Sequence, residues 1–237
     1  MARSKLFRSS RRPRRRLTRW RRTLRRLQNP ARRIGWLFAR SILLVVLPFF
    51  LLVSSTVLTH RLLGTHGWVS ISFGVVLTTI CISLWGARVF RRRTGRERFR
   101  TIAQNVALPL VLAFCVYALG WLTHFNAKST EIRDRYRDLH PTLRLAIGAA
   151  SLADFDVVIT EISRSKEDYG RMGLTSIPNS LHFRQEDGWI HAVDLRTVGR
   201  SELRNGVSFL YFRAMGFRVL RHGGTGDHLH VALPRPR

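Results

Sequence analysis

Three stretches of the chain carry no charged side chain: Ser41 to Thr59 (SILLVVLPFFLLVSSTVLT), Gly67 to Ala87 (GWVSISFGVVLTTICISLWGA) and Thr101 to Thr123 (TIAQNVALPLVLAFCVYALGWLT). Each approaches the ~20 apolar residues that cross ~30 Å of hydrocarbon. Arginine clusters flank them, which a buried core helix does not require, so the pattern predicts three membrane-spanning helices at about 41–59, 67–87 and 101–123. Pro48 and Pro109 are expected to kink two of them, which a helix bundle tolerates. Beyond residue 124 the pattern changes. Residues 125–141 read as a polar, helical stalk ending at Pro141, and Thr142 to Ala153 has apolar positions at helical spacing. Phe155 to Ile162 is rich in β-branched residues and reads as a strand, and turn residues around Gly188 mark a hairpin. Ser201 to Met215 opens with a capping serine and stops before Gly216, as a helix does. Phe217 to Leu220 and His228 to Leu233 close the chain as two strands. Helices against a mostly antiparallel sheet define an α+β domain over 142–237.

Composition and charge refine this picture. An apolar fraction of 45% excludes a wholly disordered chain. The net charge of +27 comes from 41 basic against 14 acidic residues, and it is local. Residues 1–40 hold 16 basic residues and no acid, residues 88–100 hold seven against Glu97, and residues 125–237 hold 17 against 13. Arginine-rich segments stay cytoplasmic. The arm and the 88–100 loop therefore face inward, the HRLLGTH connection faces outward, and three crossings of a plasma membrane leave everything after about His124 periplasmic or extracellular. A 40-residue basic arm followed by three spans lacks the short n-region and cleavage site of a secretory signal. The arm could bind nucleic acid or lie on anionic membrane lipid. Lipid accounts for its position directly before a span and requires no further partner, so nucleic acid is not expected. Cys81 and Cys115 both lie in apolar runs, which offers neither a disulfide framework nor a thiolate metal site.

The candidate chemistry lies in the exported domain. His228 and His230 form an HxH pair whose side chains share one face of a strand. Upstream, Asp187-Gly188 signals a hairpin between His182 and Asp194. A two-residue loop would place His182 and Asp194 on opposite faces, whereas a three-residue Glu186-Asp187-Gly188 loop, with Gly188 in the left-handed conformation, brings them to one face. His191 then points away from Asp194 and reads as a surface or outer histidine. Two histidines and one carboxylate leave the fourth position of a tetrahedral zinc ion open to water, as catalytic sites do. Zinc would bring the pKa of that water to about 7 and polarise a carbonyl, which suits amide hydrolysis.

Ile159 to Asp194, followed by Asp227 to His230, resembles the D-alanyl-D-alanine carboxypeptidase/endopeptidase family of zinc peptidases. That family is grouped with lysostaphin-type enzymes and the zinc domain of hedgehog proteins. Its pattern is a strand leading to Arg-Ser, then Ser-x-His-x-x-Gly-x-Ala-x-Asp, then a Glu three residues before a last His. The counterparts are Arg164-Ser165, Ser180-Leu181-His182, Ala192-Val193-Asp194, and Asp227 with His230. The resemblance implies that His182, Asp194 and His230 bind zinc, that Arg164 and Ser180 bind substrate, and that Arg164 polarises it. His182 and Asp194 lie twelve positions apart where the family has seven, and Asp227 stands in place of the glutamate base. His228 occupies the position of a catalytic histidine in the lysostaphin-type branch, so Asp227 and His228 are jointly expected to move the proton. The expectation is a membrane-anchored zinc metallopeptidase that cuts peptidoglycan stem peptides, as carboxypeptidase or endopeptidase. The alternative is a tethered module that binds zinc or wall peptides without catalysis.

Overall fold

Three helices long and apolar enough to cross a membrane open the structure: Val46–Leu63, Gly67–Arg88 and Arg96–Gly120. In this computed structural model the described residues are 35, 46–89, 95–120, 122, 126–164, 170, 173, 179–224 and 226–236. The basic arm (apart from Gly35), the first five residues of span 1 and residues 90–94 of the basic loop lie outside them. We label the helices α1 (Val46–Leu63), α2 (Gly67–Val89), α3 (Gly95–Ile102) and α4 (Leu108–Gly120), with a π-helical segment Ala103–Ala107 joining the last two. Pro109 supplies the reason for that segment. It has no amide hydrogen to donate and its ring crowds the preceding turn, and widening that turn relieves both.

α1 and α2 pack through small residues. Ser70, Gly74 and Thr78 recur every fourth position of α2, and a side chain at Gly74 would collide with the Thr56 hydroxyl and come 3.0 Å from the Leu52 carbonyl. Close backbone approach of this kind takes the place of the hydrophobic effect where the solvent is itself apolar. On α1 the buried hydroxyls of Ser55, Thr56 and Thr59 bond within their own helix, as Thr56 Oγ1 donates to the Leu52 carbonyl at 2.7 Å.

Residues 126–140 are not a helical stalk. They form a five-residue helix α5 (Thr130–Asp134) capped by Ser129, and then a 3-10 turn (Arg135–Asp138). Tyr136, Leu139 and His140 in this stretch are buried, which a free spacer would not allow. The reason is what they cap. Tyr136 donates its hydroxyl to the Ala118 carbonyl (2.8 Å) and Arg144 donates to the Leu119 carbonyl (2.8 Å), so two of the orphan carbonyls at the end of α4 are satisfied by the domain. α6 (Pro141–Ala153) is buried on every side from Pro141 to Ser151, because its other faces meet α2 and α4. Gly148 makes this possible: a Cβ there would lie 2.6 Å from Ala118 Cβ and 3.0 Å from its Cα. Gly148→Ala is therefore expected to wedge α6 from α4 at a cost of about 1–3 kcal/mol, measured as a lower Tm of the detergent-solubilised chain.

The sheet contains β1 (Ile159–Glu161), β2 (Ala192–Arg196), β3 (Arg218–His222) and β4 (His228–Ala232), in the order β1-β2-β4-β3, antiparallel throughout. The strand expected from Phe155 is shorter, because Asp154 Oδ1 accepts from the Asp156 amide (3.1 Å) and turns the chain first. The strand expected at Phe217–Leu220 runs on to His222. Val193, Leu195, Val219, Leu229 and Val231 form one buried face, in a common core with Leu143 and Ile147 of α6 and Phe212 of α7 (Glu202–Ala214). Ser201 caps α7 by accepting from the Arg204 amide, and Gly216, at φ 98°, lets the chain reverse into β3 where a side chain would meet Val57 of α1.

Candidate metal centre

The opposite face of the sheet carries the polar residues. Asp194 sits on β2 with His230 directly across on β4, and Arg196 faces His228 in the next pair. Alternation along β4 keeps His228 and His230 on this face, while Leu229 and Val231 point into the core. His182 reaches the same place by another route. The hairpin has the three-residue loop, with Gly188 at φ 83° and Arg184 opposite Ile190. Beyond Arg184 the first strand gives way to a turn at Ser180–Phe183. Ser180 Oγ accepts from the His182 amide (3.3 Å), and the His182 carbonyl accepts from the Arg164 amide (3.4 Å).

Three side chains converge at the centre. Asp194, 1% exposed, has Oδ1 2.9 Å from His230 Nδ1 and 3.4 Å from His182 Nε2. The two imidazoles approach to 3.2 Å between His182 Nε2 and His230 Nδ1. His182 Nδ1 lies 2.8 Å from the Ile162 carbonyl, which accepts its proton and leaves the Nε2 lone pair facing Asp194 and His230. A backbone carbonyl that fixes the tautomer of a ligating histidine is the usual outer support of a metal site. Burial would raise the Asp194 carboxyl, but the neighbouring His182, His230 and His228 rings outweigh it and hold the group below the ordinary carboxylate range. One ligand atom from each of His182, Asp194 and His230 lies within 4.8 Å of the others, so the set could hold a metal ion. Two imidazoles and one carboxylate supply three of the four ligands of a tetrahedral ion.

The surroundings form a cleft of about 890 Å³, with Lys128, Glu161, Arg164 and Arg196 as charged lining and Val198 and Leu220 as apolar lining. Ser180 also lines it. Arg164 donates to Asp194 Oδ2 at 2.7 Å and stands 3.9 Å from Glu161. His228 places Nε2 3.5 Å from Asp194 Oδ2, and its Nδ1 lies 2.6 Å from the Gly226 carbonyl, so the lone pair again faces the centre. Asp227 is differently engaged. Both its oxygens accept from Arg221 (3.2 and 2.8 Å), which is held in turn by Glu202, and this guanidinium, with Thr197, keeps the carboxyl below its ordinary range.

The chain matches no protein-family model, no curated protein and no solved structure. The site is read from its own geometry.

The placements of His222 and His191 escape a reading of the sequence. His222 stacks on His228 (ring centroids 4.8 Å apart, 23° between planes), and partial burial together with those neighbouring imidazoles lowers its pKa. The signal was the Gly223–Asp227 loop, which pairs His222 with His228 once the strand is extended to its end. His191 is not at the surface: it points away from Asp194, as alternation requires, but is buried against His140 and bonded to Asp187 (2.8 Å).

Proposed function

We propose that the chain is a membrane-anchored zinc metallopeptidase that hydrolyses peptide bonds of peptidoglycan stem peptides outside the cytoplasm. The observation that carries this reading is the convergence of His182, Asp194 and His230 beside Arg164 on the floor of an open cleft. The resemblance of the Arg-Ser, Ser-x-His and Ala-x-Asp stretches to the D-alanyl-D-alanine carboxypeptidase/endopeptidase family supports the substrate class. The inward placement of the arginine-rich segments supports an exported domain. So does the packing of the domain against the last turn of α4 and the first residue of α2, at one end of the bundle.

His182, Asp194 and His230 would hold the ion. When bound, zinc supplies a Lewis acid for a carbonyl oxygen and lowers the pKa of water. With Asp194 as a metal ligand, Arg164 would present its guanidinium fork to a substrate carboxylate or carbonyl. His228, with a free Nε2 lone pair on the centre's side, accepts the water proton and can return it to the leaving amine. His222, stacked behind it, keeps the His228 ring in plane. Lys128 and Arg196 add positive charge along the cleft, which suits an anionic peptide.

The pairing of Asp227 with Arg221 favours the second reading, a module that binds wall peptides without cleaving them, because it removes the one acid in the family's base position. Digestion separates the two. The detergent-solubilised full chain, loaded with zinc, is expected to release terminal D-alanine from, or cut the cross-bridge of, defined stem peptides read by mass. A chelator should stop this and added zinc restore it. Intact peptides with the zinc-loaded chain would leave only the binding module. A reporter fused after Arg237 that is active solely in the cytoplasm would remove the wall substrate.

A further inference from the structure

A second histidine cluster lies where α1 ends. We propose that Asp187, His191, His140 and His60 form a second, four-ligand divalent-cation centre that joins the membrane region to the hairpin. Asp187 Oδ2 is 2.8 Å from His191 Nε2 and 3.9 Å from His140 Nε2. These three residues, like the first set, bring ligand atoms within 4.8 Å of one another. His60 adds a third ring. Its centroid is 5.0 Å from that of His140 and 6.0 Å from that of His191, and the His140 and His191 centroids are 4.9 Å apart. Imidazoles on one tetrahedral ion, with metal–nitrogen bonds of about 2.0–2.1 Å, have ring centres about 5 Å apart. The His182–His230 pair of the first centre has the same 5.0 Å spacing.

The hydrogen bonding points the same way. His140 is 0%, His60 4% and His191 6% exposed, and the Nε2 atoms of His60 and His140 are buried with no hydrogen-bond partner among the described residues. Buried polar atoms are almost always paired, so two unpaired ring nitrogens beside one carboxylate ask for a common partner. His60 Nδ1 donates to the Thr65 carbonyl at 3.1 Å, which leaves the lone pair on Nε2, as a ligating histidine needs. His140 has one adjustment to make: its Nδ1 accepts from the Thr142 amide at 3.2 Å, and ligation through Nε2 exchanges that long cap for the metal bond.

Three imidazoles and a carboxylate fill a tetrahedron and leave no place for water, so the centre is structural. Its location gives it a task. Asp187 and His191 belong to the hairpin that lengthens the His182–Asp194 spacing to twelve positions, and His60 and His140 belong to the end of α1 and the cap of α6. A cation here would clamp the segment carrying two ligands of the first centre onto the end of a span.

The test counts metal. The full chain in detergent, stripped by a chelator and titrated with Zn²⁺, is expected to bind two equivalents by mass spectrometry of the metal. Asp187→Asn and His182→Ala should each bind one, and the double variant none. In the His182→Ala background, Zn²⁺ should raise Tm and Co²⁺ should give a visible absorption band, both lost on adding Asp187→Asn. Asp187 is partly exposed and the asparagine is isosteric, so an unchanged metal-free Tm identifies a folded variant. One Asp187-dependent equivalent in the His182→Ala chain supports this centre even if the first binds nothing. A single equivalent lost with His182→Ala and indifferent to Asp187→Asn overturns it.

Discussion

His182→Ala is expected to abolish hydrolysis and to release the metal of the first centre. Removing an outer hydrogen bond to a metal ligand typically costs about 10–100-fold in affinity or activity, and deletion of a ligand should exceed that. His182 also occupies a turn tied to the Ile162 carbonyl and the Arg164 amide, so its loss removes an imidazole whose orientation the segment after β1 maintains. Asp194→Asn tests the other half of the set. The amide keeps the shape but not the charge, and Arg164, at 2.7 Å from Asp194 and 3.9 Å from Glu161, loses the nearer of these carboxylates. Both variants should lose turnover and the first centre's equivalent of zinc together. Turnover that survives the loss of zinc would show that the three residues do not support a metal-assisted reaction.

The second large effect separates the two candidates for the proton. His228→Ala is expected to lower kcat by about 10²–10⁴-fold, the usual contribution of a positioned base. Asp227→Asn is expected to leave kcat within about tenfold. The physical ground is their partners. His228 presents Nε2 to Asp194 with its other nitrogen satisfied by the Gly226 carbonyl, whereas both oxygens of Asp227 are occupied by Arg221 and its carboxyl is made a weaker base. kcat and KM should be measured for both variants, since a fall in kcat alone identifies a group acting in the transition state. The reverse ranking would return the role to Asp227.

Much of this arrangement was legible in local pattern. Charge-free runs marked the three apolar helices, Ser201 and Gly216 marked the ends of α7, and alternation with a three-residue loop anticipated His182 and Asp194 on one side. What could not be read has a common cause in contacts between distant segments. The burial of Tyr136 and His140 depends on the end of α4. The all-round burial of α6 depends on Ala118 accepting Gly148. His60, His140 and His191 lie far apart in sequence and meet only because the hairpin docks on residues 138–140, through the Ile190 amide on the Asp138 carbonyl and the His140 amide on the Ile190 carbonyl, both at 2.9 Å. Asp227 looked available because no local signal announces Arg221, six positions upstream, as its partner.

The capping of α4 by Tyr136 and Arg144 bears on how far the domain can reach. A domain on a flexible leash samples a volume that grows with its linker. Here the span's last turn, α5 and α6 interlock, so the cleft is held at one height and one tilt above the bilayer. On the proposed reading such an enzyme has no reach: it trims what is brought to the membrane surface, and wall material beyond that height escapes it. The same interlocking means that cutting the chain after α4 would strip partners from Tyr136 and Arg144 and expose the faces of α6 that meet α2 and α4, so the severed domain should aggregate where the whole protein does not.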